Sequence, residues 1–451
     1  MKENTQNEKF DKEKLFAHVE TFSFPRLSGT DGEKKAVEIC VETFRKIGFK
    51  EDTIEKEEFV FSDFYSTTLI QLIMIISLTS YLILLYLAYI NPIIILAVFG
   101  VISIVILLIV RSLRTPEKGF WGEYFGTSHP STNVIIKIPA QNNDLKNIGD
   151  LVISAHLDTK SQSFKTAWRI VLYRIFLFGG IILGILYFIQ LFMGILIGHL
   201  GRFSIIFQLL IWGWTIILSF SNALLLFLTT HNKSPGALDN ASGMAIVFEL
   251  SSYFRNRPLK NMNLWFCQFS AEELGTMGSR IFVNNRESLF TKGRTFQINL
   301  DMISSAKHRK NKNKVGYLKS YGILPRKVIS PLLGSYLDQA ANIEGLEIHG
   351  FHLSTGAHLD SVPFHLRGYD AIDIATRAAA KYTHNKIDTP DKVDPEVLLS
   401  ACKIVRRTIL NIDNDYQKKE KNPKRDYLSR VFSRFKNSLT SALRINAFFW
   451  L

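Results

Sequence analysis

Cysteine and charge are the two things that this sequence lacks most clearly. Only three of its 451 residues are cysteines, namely Cys40, Cys267 and Cys402. So few thiols, odd in number and without a motivated spacing, exclude a disulfide framework and indicate a reducing compartment or ordinary core packing. Because 47% of the residues are hydrophobic and 21% are charged, a collagen-like, coiled-coil or wholly disordered protein is excluded as well.

Charged residues are missing from two long segments. None occurs between Phe64 and Val110, and Arg202 is the only Lys, Arg, Asp or Glu between Ile175 and Asn232. A core helix rarely runs beyond ~20 residues without a charge, whereas a membrane helix of that length crosses ~30 Å of hydrocarbon. The sequence therefore predicts two transmembrane helical hairpins with four spans, near Tyr65–Ile90, Ile93–Val110, Ile170–Ile197 and Ser204–Thr230.

Positive charge, by contrast, is in excess, with a formal net charge of +14. Beside the spans it clusters away from the hairpin turns, at Lys50, Lys56, Arg111, Arg114, Lys118, Lys160, Lys165, Arg169, Arg174 and Lys233. By the positive-inside rule this bias predicts a multi-pass protein whose soluble parts face the cytoplasm. Anionic lipid accounts for the charge, so the expected partner is the lipid bilayer and not a nucleic acid.

A basic tail covers residues 413–451, where apolar residues recur at helical spacing. This pattern predicts an amphipathic helix at the membrane surface, with an ordinary surface helix as the alternative. The predicted organisation is an N-terminal part, a first hairpin, a middle part, a second hairpin, a main part and the tail. Their ranges are 1–63, 64–111, 112–168, 169–230, 231–412 and 413–451.

The soluble pieces alternate between strand-like and helix-like patterns. Short β-rich runs at Leu151–Ala155, Leu264–Phe269, Gln297–Leu300 and Ala371–Ile374 are typical of buried strands. Helical patterns lie between them, for example at Gly243–Asn256. Strands that alternate with helices predict a layered α/β domain.

Five short segments combine histidines with carboxylates at predicted strand ends or loops. They are Ser154–Asp158, Pro235–Gly243, Ala271–Ser279, Asn299–Asp301 and Tyr382–Pro390. Each alone has an ordinary explanation, such as a helix cap, a turn residue or a solvated helix start. Together they form a mixed nitrogen and oxygen set that suits Zn²⁺, and the carboxyl ends of strands are where such groups gather in α/β sheets.

In this order the five segments resemble the co-catalytic zinc aminopeptidases of metallopeptidase family 28. The most specific matches are Ala-His-Leu-Asp, Pro-Gly-Ala-x-Asp-Asn-Ala-Ser-Gly and Glu-Glu-x-Gly-x-x-Gly-Ser, with Asp360-Ser-Val-Pro-Phe364 as a later one. The resemblance runs from about Phe16 to Leu399 and skips both apolar segments. It implies a zinc-exopeptidase-like fold, in which a mixed β-sheet is sandwiched by helices, here with the two hairpins inserted.

The resemblance also implies a centre of two Zn²⁺ ions. His156 and Asp301 would hold one ion, Glu273 and His384 the other, and Asp239 would bridge both. A shared carboxylate lets two ions roughly 3.5–4 Å apart polarise one water. The implied reaction is hydrolysis of the N-terminal peptide bond of a peptide substrate.

Two further residues receive roles from the same resemblance. Glu272 would be the general base that takes the proton of the attacking water. Asp158 would orient His156 through the second ring nitrogen. Since His156 precedes the second apolar segment and Asp239 follows it, a shared centre requires an even number of membrane crossings between them, and hydropathy predicts two.

Other functions stay open on the same residues. Glutaminyl cyclase has the same fold and uses one zinc, and a membrane relative takes part in amide transfer onto lipid-anchored substrates. A non-catalytic membrane scaffold is a third alternative, although it predicts lost ligands and this sequence retains the full set.

Overall fold

The computed structural model describes residues 10–90, 92–112, 125–142, 148–164, 166–197, 202–305, 314–322, 327–353 and 359–416. These residues divide into two compact units. The first unit takes its described residues from Met1–Phe61, His129–Ser161 and Asn232–Leu451. The second takes them from Ser62–Ser128 and Gln162–His231. Each unit is therefore assembled from separate stretches of the chain.

A nine-stranded mixed sheet forms the centre of the first unit. Its strands are β1 Ile54–Ser62, β2 Ser128–Ile138, β3 Gly149–His156, β6 Met262–Phe269, β7 Thr295–Leu300, β8 Gly316–Tyr321, β9 Lys327–Val328, β10 His349–Leu353 and β11 Asp370–Ala375. They follow the order β1-β2-β6-β3-β7-β11-β8-β10, with β9 beside β8. The two-residue strands β4 Ser161–Gln162 and β5 Thr230–His231 lie outside this sheet.

The middle of the sheet is parallel and its flanks are antiparallel. β3 pairs in parallel with β6 and β7, and β11 pairs in parallel with β7. β2 and β8 run antiparallel to their inner neighbours β6 and β11. Central parallel strands are covered on both faces, which is why nearly every residue of β3, β6 and β7 is buried.

Within the described residues, eleven α-helices accompany the strands. They are α1 Lys12–Thr21, α2 Asp31–Ile47, α3 Thr68–Ile90, α4 Pro92–Ser112, α5 Thr166–Ile197, α6 Arg202–Leu226, α7 Ser242–Arg255, α8 Met277–Asn285, α9 Pro331–Glu344, α10 Val362–Leu366 and α11 Pro395–Tyr416. In the first unit, α1, α7 and α11 contact one another. Their apolar residues join the larger core cluster, which includes Phe22, Phe44 and Phe248. A smaller cluster around Trp265, Phe282 and Phe364 forms a second core.

This architecture confirms the mixed α/β fold with a central mixed sheet. The predicted strands at Leu151–Ala155 and Leu264–Phe269 lie inside β3 and β6, and the helix predicted at Gly243–Asn256 is α7 within one residue. The basic tail lies almost wholly outside the described residues, which end at Tyr416. Its first residues belong to α11, where buried Asp413 accepts hydrogen bonds from the backbone of Lys260 and Asn261.

The second unit contains the four long apolar helices α3, α4, α5 and α6. Within the described residues, Thr68–Leu87, Trp168–Met193 and Ile205–Leu226 are long and apolar enough to cross a membrane. Pro92–Ser112 is also helical over 21 residues. Three candidate spans are therefore present, and the fourth span stays a prediction.

Candidate metal centre

Side chains from separate stretches of the chain meet at one edge of the sheet. β3 ends at His156, β7 is followed directly by Asp301, and β6 leads into the turn that holds Glu272 and Glu273. β11 leads into the turn that holds His384. Because the carboxyl ends of parallel strands lie on the same edge, residues far apart in sequence become neighbours there.

Asp239 comes from the irregular turn that opens α7. Gly236 starts this turn with a φ of 66°, and an added Cβ would lie 2.1 Å from Thr159 Cγ2, so only glycine fits here. The Asp239–Asn240 peptide bond is cis. The carboxylate of Asp388 accepts hydrogen bonds from the backbone N–H groups of Leu238 at 2.7 Å and of Asp239 at 3.1 Å. The turn is thereby held in one conformation.

The predicted ligands form two groups that share Asp239. In the first group, His156 Nε2 lies 3.1 Å from Asp239 Oδ1 and 3.4 Å from Asp301 Oδ1. In the second, His384 Nε2 lies 3.2 Å from Asp239 Oδ2 and 3.1 Å from Glu273 Oε2. Within each group, one potential ligand atom per residue lies within 4.8 Å of every other. Each oxygen of Asp239 thus faces a different histidine.

The donor atoms fit divalent cations in spacing and in hydrogen bonding. Ligand atoms about 2.0–2.2 Å from a tetrahedral zinc ion lie about 3.3–3.6 Å from one another, close to the observed contacts. Glu273 Oε1 and Asp301 Oδ1 are buried, and no described residue gives either of them a hydrogen bond. A buried carboxylate oxygen without a donor is costly unless a cation binds it. We therefore conclude that these residues suit metal ions.

The electrostatics of the cluster couple its histidines to its carboxylates. Burial disfavours the protonated form of His156, but contacts with Asp158, Asp239 and Asp301 raise its pKa well above the usual value. Burial likewise opposes ionisation of Asp239 and Glu273. Contacts from His156 and His384 nevertheless lower the pKa of Asp239, and the charges of His384 and Lys160 lower that of Glu273 to about 2. Both carboxylates are therefore ionised and available as ligands.

The pKa of Glu272 is shifted in the opposite direction from that of its neighbour Glu273. It is buried, with 7% of its surface exposed. Burial raises its pKa well above the usual value, and the charges of Glu273, Asp301 and Asp360 add to this effect. A carboxylate with a raised pKa is a better proton acceptor near neutral pH. The adjacent glutamates thus have different properties because their environments differ.

Asp158 organises the turn after β6 as well as the histidine. Its carboxylate accepts the backbone N–H groups of Glu272 at 3.1 Å and of Glu273 at 3.2 Å. The Nδ1 atom of His156 lies 3.0 Å from the carbonyl oxygen of Asp158 and 3.6 Å from its carboxylate. The histidine is therefore held mainly by the backbone of Asp158, while the side chain positions both glutamates.

Arg26 belongs to this site, and the sequence offered no signal for it. Its guanidinium is fully buried and donates hydrogen bonds to the carbonyl oxygens of Leu157 at 2.6 Å, Pro235 at 2.8 Å and Gly236 at 3.0 Å. It also reaches the carbonyls of the segment before it. Burial lowers its pKa to about 10, against the opposing field of the nearby carboxylates. Arg26 therefore joins the end of β3 to the turn before Asp239.

Lys160, one of the positive charges beside the predicted membrane spans, also contacts a predicted metal ligand. Its Nζ atom lies 2.8 Å from Glu273 Oε2 and donates to the Glu273 carbonyl oxygen at 2.9 Å. Because it follows Asp158 by only two residues, the same strand end that places His156 also places this lysine.

Below the centre, the polar residues of the sheet form a buried network. Asp360, from the later motif, accepts a hydrogen bond from Ser279 at 2.6 Å, and Asp373 accepts one from Ser361 at 2.6 Å. Burial raises the pKa of each aspartate to about 7. These carboxyls lie outside both ligand groups.

Comparison with known proteins agrees with this geometry. Residues 226–409 match the model of peptidase family M28. Aminopeptidase YwaD of Bacillus subtilis is 26% identical over 211 residues, which cover 44% of this chain and 43% of that protein. The probable lipoprotein aminopeptidase LpqL of Mycobacterium tuberculosis is 36% identical over 73 residues, which cover 16% of this chain and 15% of LpqL. The chain thus spans less than half the length of these two relatives.

Two solved structures show the fold. BSAP, a zinc aminopeptidase from Bacillus subtilis, has a TM-score of 0.50 at 14% identity, with 89% of this chain and 95% of BSAP covered. An Acidobacteriales bacterium glutaminyl cyclase has a TM-score of 0.51 at 16% identity, with 92% and 99% covered. The match of residues 226–409 to the peptidase family M28 model confirms the resemblance to this family.

Proposed function

We propose that this chain is a membrane-bound dizinc aminopeptidase. The observation that carries the proposal is the carboxylate of Asp239, whose two oxygens face two separate groups of one histidine and one further carboxylate. A single-ion site needs no such bridge. Two ions held by His156, Asp239 and Asp301 and by Asp239, Glu273 and His384 account for both groups.

The residues around the centre provide the remaining steps of a hydrolysis. Bound Zn²⁺ ions would supply Lewis acidity to a water molecule and to the scissile carbonyl group. Glu272 would accept the proton of the attacking water and return it to the leaving amine. The raised pKa of Glu272 supports this role. Asp158 would keep Glu272 in place, because its carboxylate holds the backbone N–H of that residue.

The membrane part of the proposal depends on the second unit. We propose that its four apolar helices form two hairpins that cross the bilayer, with the peptide-cleaving unit on the cytoplasmic side. Three of these helices meet the length and composition of a membrane span. The positive charges beside the spans support the cytoplasmic orientation.

Replacement of Glu272 by Gln tests the catalytic assignment. In the detergent-purified full chain, this variant should retain its zinc content, since Glu272 is not a ligand in the proposal. Turnover of aminoacyl reporter peptides should fall by about 10²–10⁴-fold, as is usual for loss of a general base. The control is Glu58→Gln, which changes an exposed glutamate on β1. Undiminished turnover in Glu272→Gln would refute the role of this residue.

The substrate class separates the proposed activity from the alternatives. The full chain should release the first residue from peptides with a free amine and leave amine-blocked peptides intact. A glutaminyl cyclase would instead remove ammonia from N-terminal glutamine without shortening the peptide. A transamidase would need a second amine as acceptor. Mass spectrometry of the products distinguishes these outcomes, and cleavage of blocked peptides would contradict an aminopeptidase.

A further inference from the structure

One half of the centre has a lysine beside it. Lys160 is only 14% exposed, and its Nζ atom lies 2.8 Å from Glu273 Oε2. The same ammonium group donates a hydrogen bond to the Glu273 carbonyl oxygen at 2.9 Å. Two contacts with the side chain and backbone of one residue hold the ammonium beside the ligand group of Glu273 and His384.

The other half has no such neighbour. Within the described part of the chain, the ion-pair partners of Asp239 and Asp301 are histidines, and no lysine or arginine pairs with either carboxylate. Asp239 is common to both halves, so it does not distinguish them. The difference between the halves is therefore Lys160, which offsets the negative charge of Glu273 but leaves that of Asp301 in place.

The contact also places the ammonium group on an oxygen of Glu273 that belongs to the ligand group. Its Oε2 atom is shared by Lys160 and His384. Its Oε1 atom is buried and receives no hydrogen bond from the described residues. A cation at this half would therefore bind a carboxylate that already contacts an ammonium ion.

We infer that Lys160 makes the two metal sites unequal, weakening divalent-cation binding in the Glu273–His384 half relative to the His156–Asp301 half. Like charges a few ångströms apart inside a protein, such as an ammonium group and a metal cation, repel strongly because the effective dielectric constant is lower than in water. The inference rests on the proposed metal centre. It assigns Lys160 a positioning and charge-tuning role and does not require contact with substrate.

Zinc affinity in isolated halves provides the test. Metal-stripped full chain in detergent is titrated with Zn²⁺ against a chromophoric chelator. His156→Ala leaves the Glu273–His384 half, and His384→Ala leaves the His156–Asp301 half. Adding Lys160→Met should tighten zinc binding about 10–100-fold in the first background and change it by less than about threefold in the second. Lys160→Arg, which keeps the charge, should retain the affinity of its parent.

Two controls test whether a change in zinc affinity comes from the charge of Lys160. Lys137→Met removes a lysine that lies 4.5 Å from the centroid of the Trp265 ring, away from the centre, and should change neither affinity. Circular dichroism and thermal unfolding establish that each variant is folded. Equal effects of Lys160→Met in both halves, or weaker zinc binding in the Glu273 half, would overturn the inference. A tightening by Lys160→Arg similar to that by Lys160→Met would overturn it too.

The titration separates failure of the inference from failure of the proposed function. Zinc binding without an effect specific to Lys160 would reject only the inequality of the two halves. A folded parent chain that binds no zinc would reject the metal centre, and the inference with it. Neither result depends on turnover.

Discussion

The two units of this protein place polar and apolar groups in opposite ways. In the first unit, Asp158, Asp301 and Arg26 are at most 3% exposed, and each contacts a buried polar partner. In the second unit, large apolar side chains face outward, and Leu209 and Phe220 are both 67% exposed. The first unit thus buries charged side chains, whereas the second exposes apolar side chains.

This contrast shows that exposure has a different meaning in each unit. Val60 on β1 is 61% exposed and Ile216 on α6 is 64% exposed, yet only Ile216 lies among other outward apolar residues of a candidate span. Scattered exposed apolar residues are normal on soluble proteins, whereas contiguous ones indicate a membrane or a partner surface. The following substitutions test the roles proposed for the buried charged residues of the first unit and for the outward apolar residues of the second.

Asp239→Ala should have the largest effect. The substitution removes the carboxylate shared by both ligand groups, so both zinc ions should be lost and peptide hydrolysis should fall by more than about 10³-fold. Elemental analysis and reporter turnover check the result, with Asp31→Ala at the exposed start of α2 as the control. Retention of two ions by Asp239→Ala would contradict the bridging role.

Arg26→Met should mainly affect stability. The methionine leaves several buried carbonyl oxygens without their donor, and we expect a loss of about 3–5 kcal/mol in the free energy of unfolding of the first unit. Denaturant unfolding of the full chain in detergent measures it. The control is Arg257→Met, at an exposed arginine whose guanidinium lies over the Tyr253 ring. It should change the free energy of unfolding by less than about 0.5 kcal/mol. Similar losses in both variants would contradict a special role for Arg26.

A matched pair of lysine substitutions compares the two surfaces directly. Ile216→Lys should cost about 2.5–3.5 kcal/mol of membrane insertion, because the charge would face hydrocarbon. Val60→Lys should stay within about 0.5 kcal/mol, because β1 faces water. The measurement is the fraction of each variant recovered in carbonate-washed membranes. Equal recovery of the two variants would reject α6 as a lipid-facing span.

Asp158→Asn should have the smallest of the four effects. An amide keeps one acceptor oxygen, so one of the two backbone N–H groups of Glu272 and Glu273 loses its partner. Substitutions behind a metal ligand typically weaken metal binding about 10–100-fold, and we expect that range for zinc.

The control for this last substitution lies at the other end of the same strand. Asp150 accepts hydrogen bonds from Asn263 at 3.0 Å and from Trp265 at 2.8 Å. Asp150→Asn should weaken that contact and leave zinc affinity unchanged. A zinc affinity of Asp158→Asn equal to that of the parent would show that its carboxylate does not support the glutamates.

Much of the fold and of the ligand set was predictable because local patterns carry it. Uncharged stretches predicted the long helices, since hydropathy depends on composition alone. The short β-rich runs predicted β3, β6, β7 and β11, because the residues of one buried strand are neighbours in the sequence. The motifs around His156, Asp239 and Glu273 predicted residues that the fold brings together, and they carried the resemblance to the family.

Other features depended on the tertiary structure because they join distant segments. Arg26 reaches carbonyls at 157 and 235–236, more than 130 residues away, and no local pattern encodes such contacts. The main partner of the His156 ring is a backbone oxygen, which side-chain motifs do not reveal. The sequence shows Lys160 only as a positive charge close to a predicted span. Because β3 and β6 are adjacent parallel strands, the residues that follow them are neighbours in the folded chain, and the ammonium group of Lys160 contacts Glu273 there.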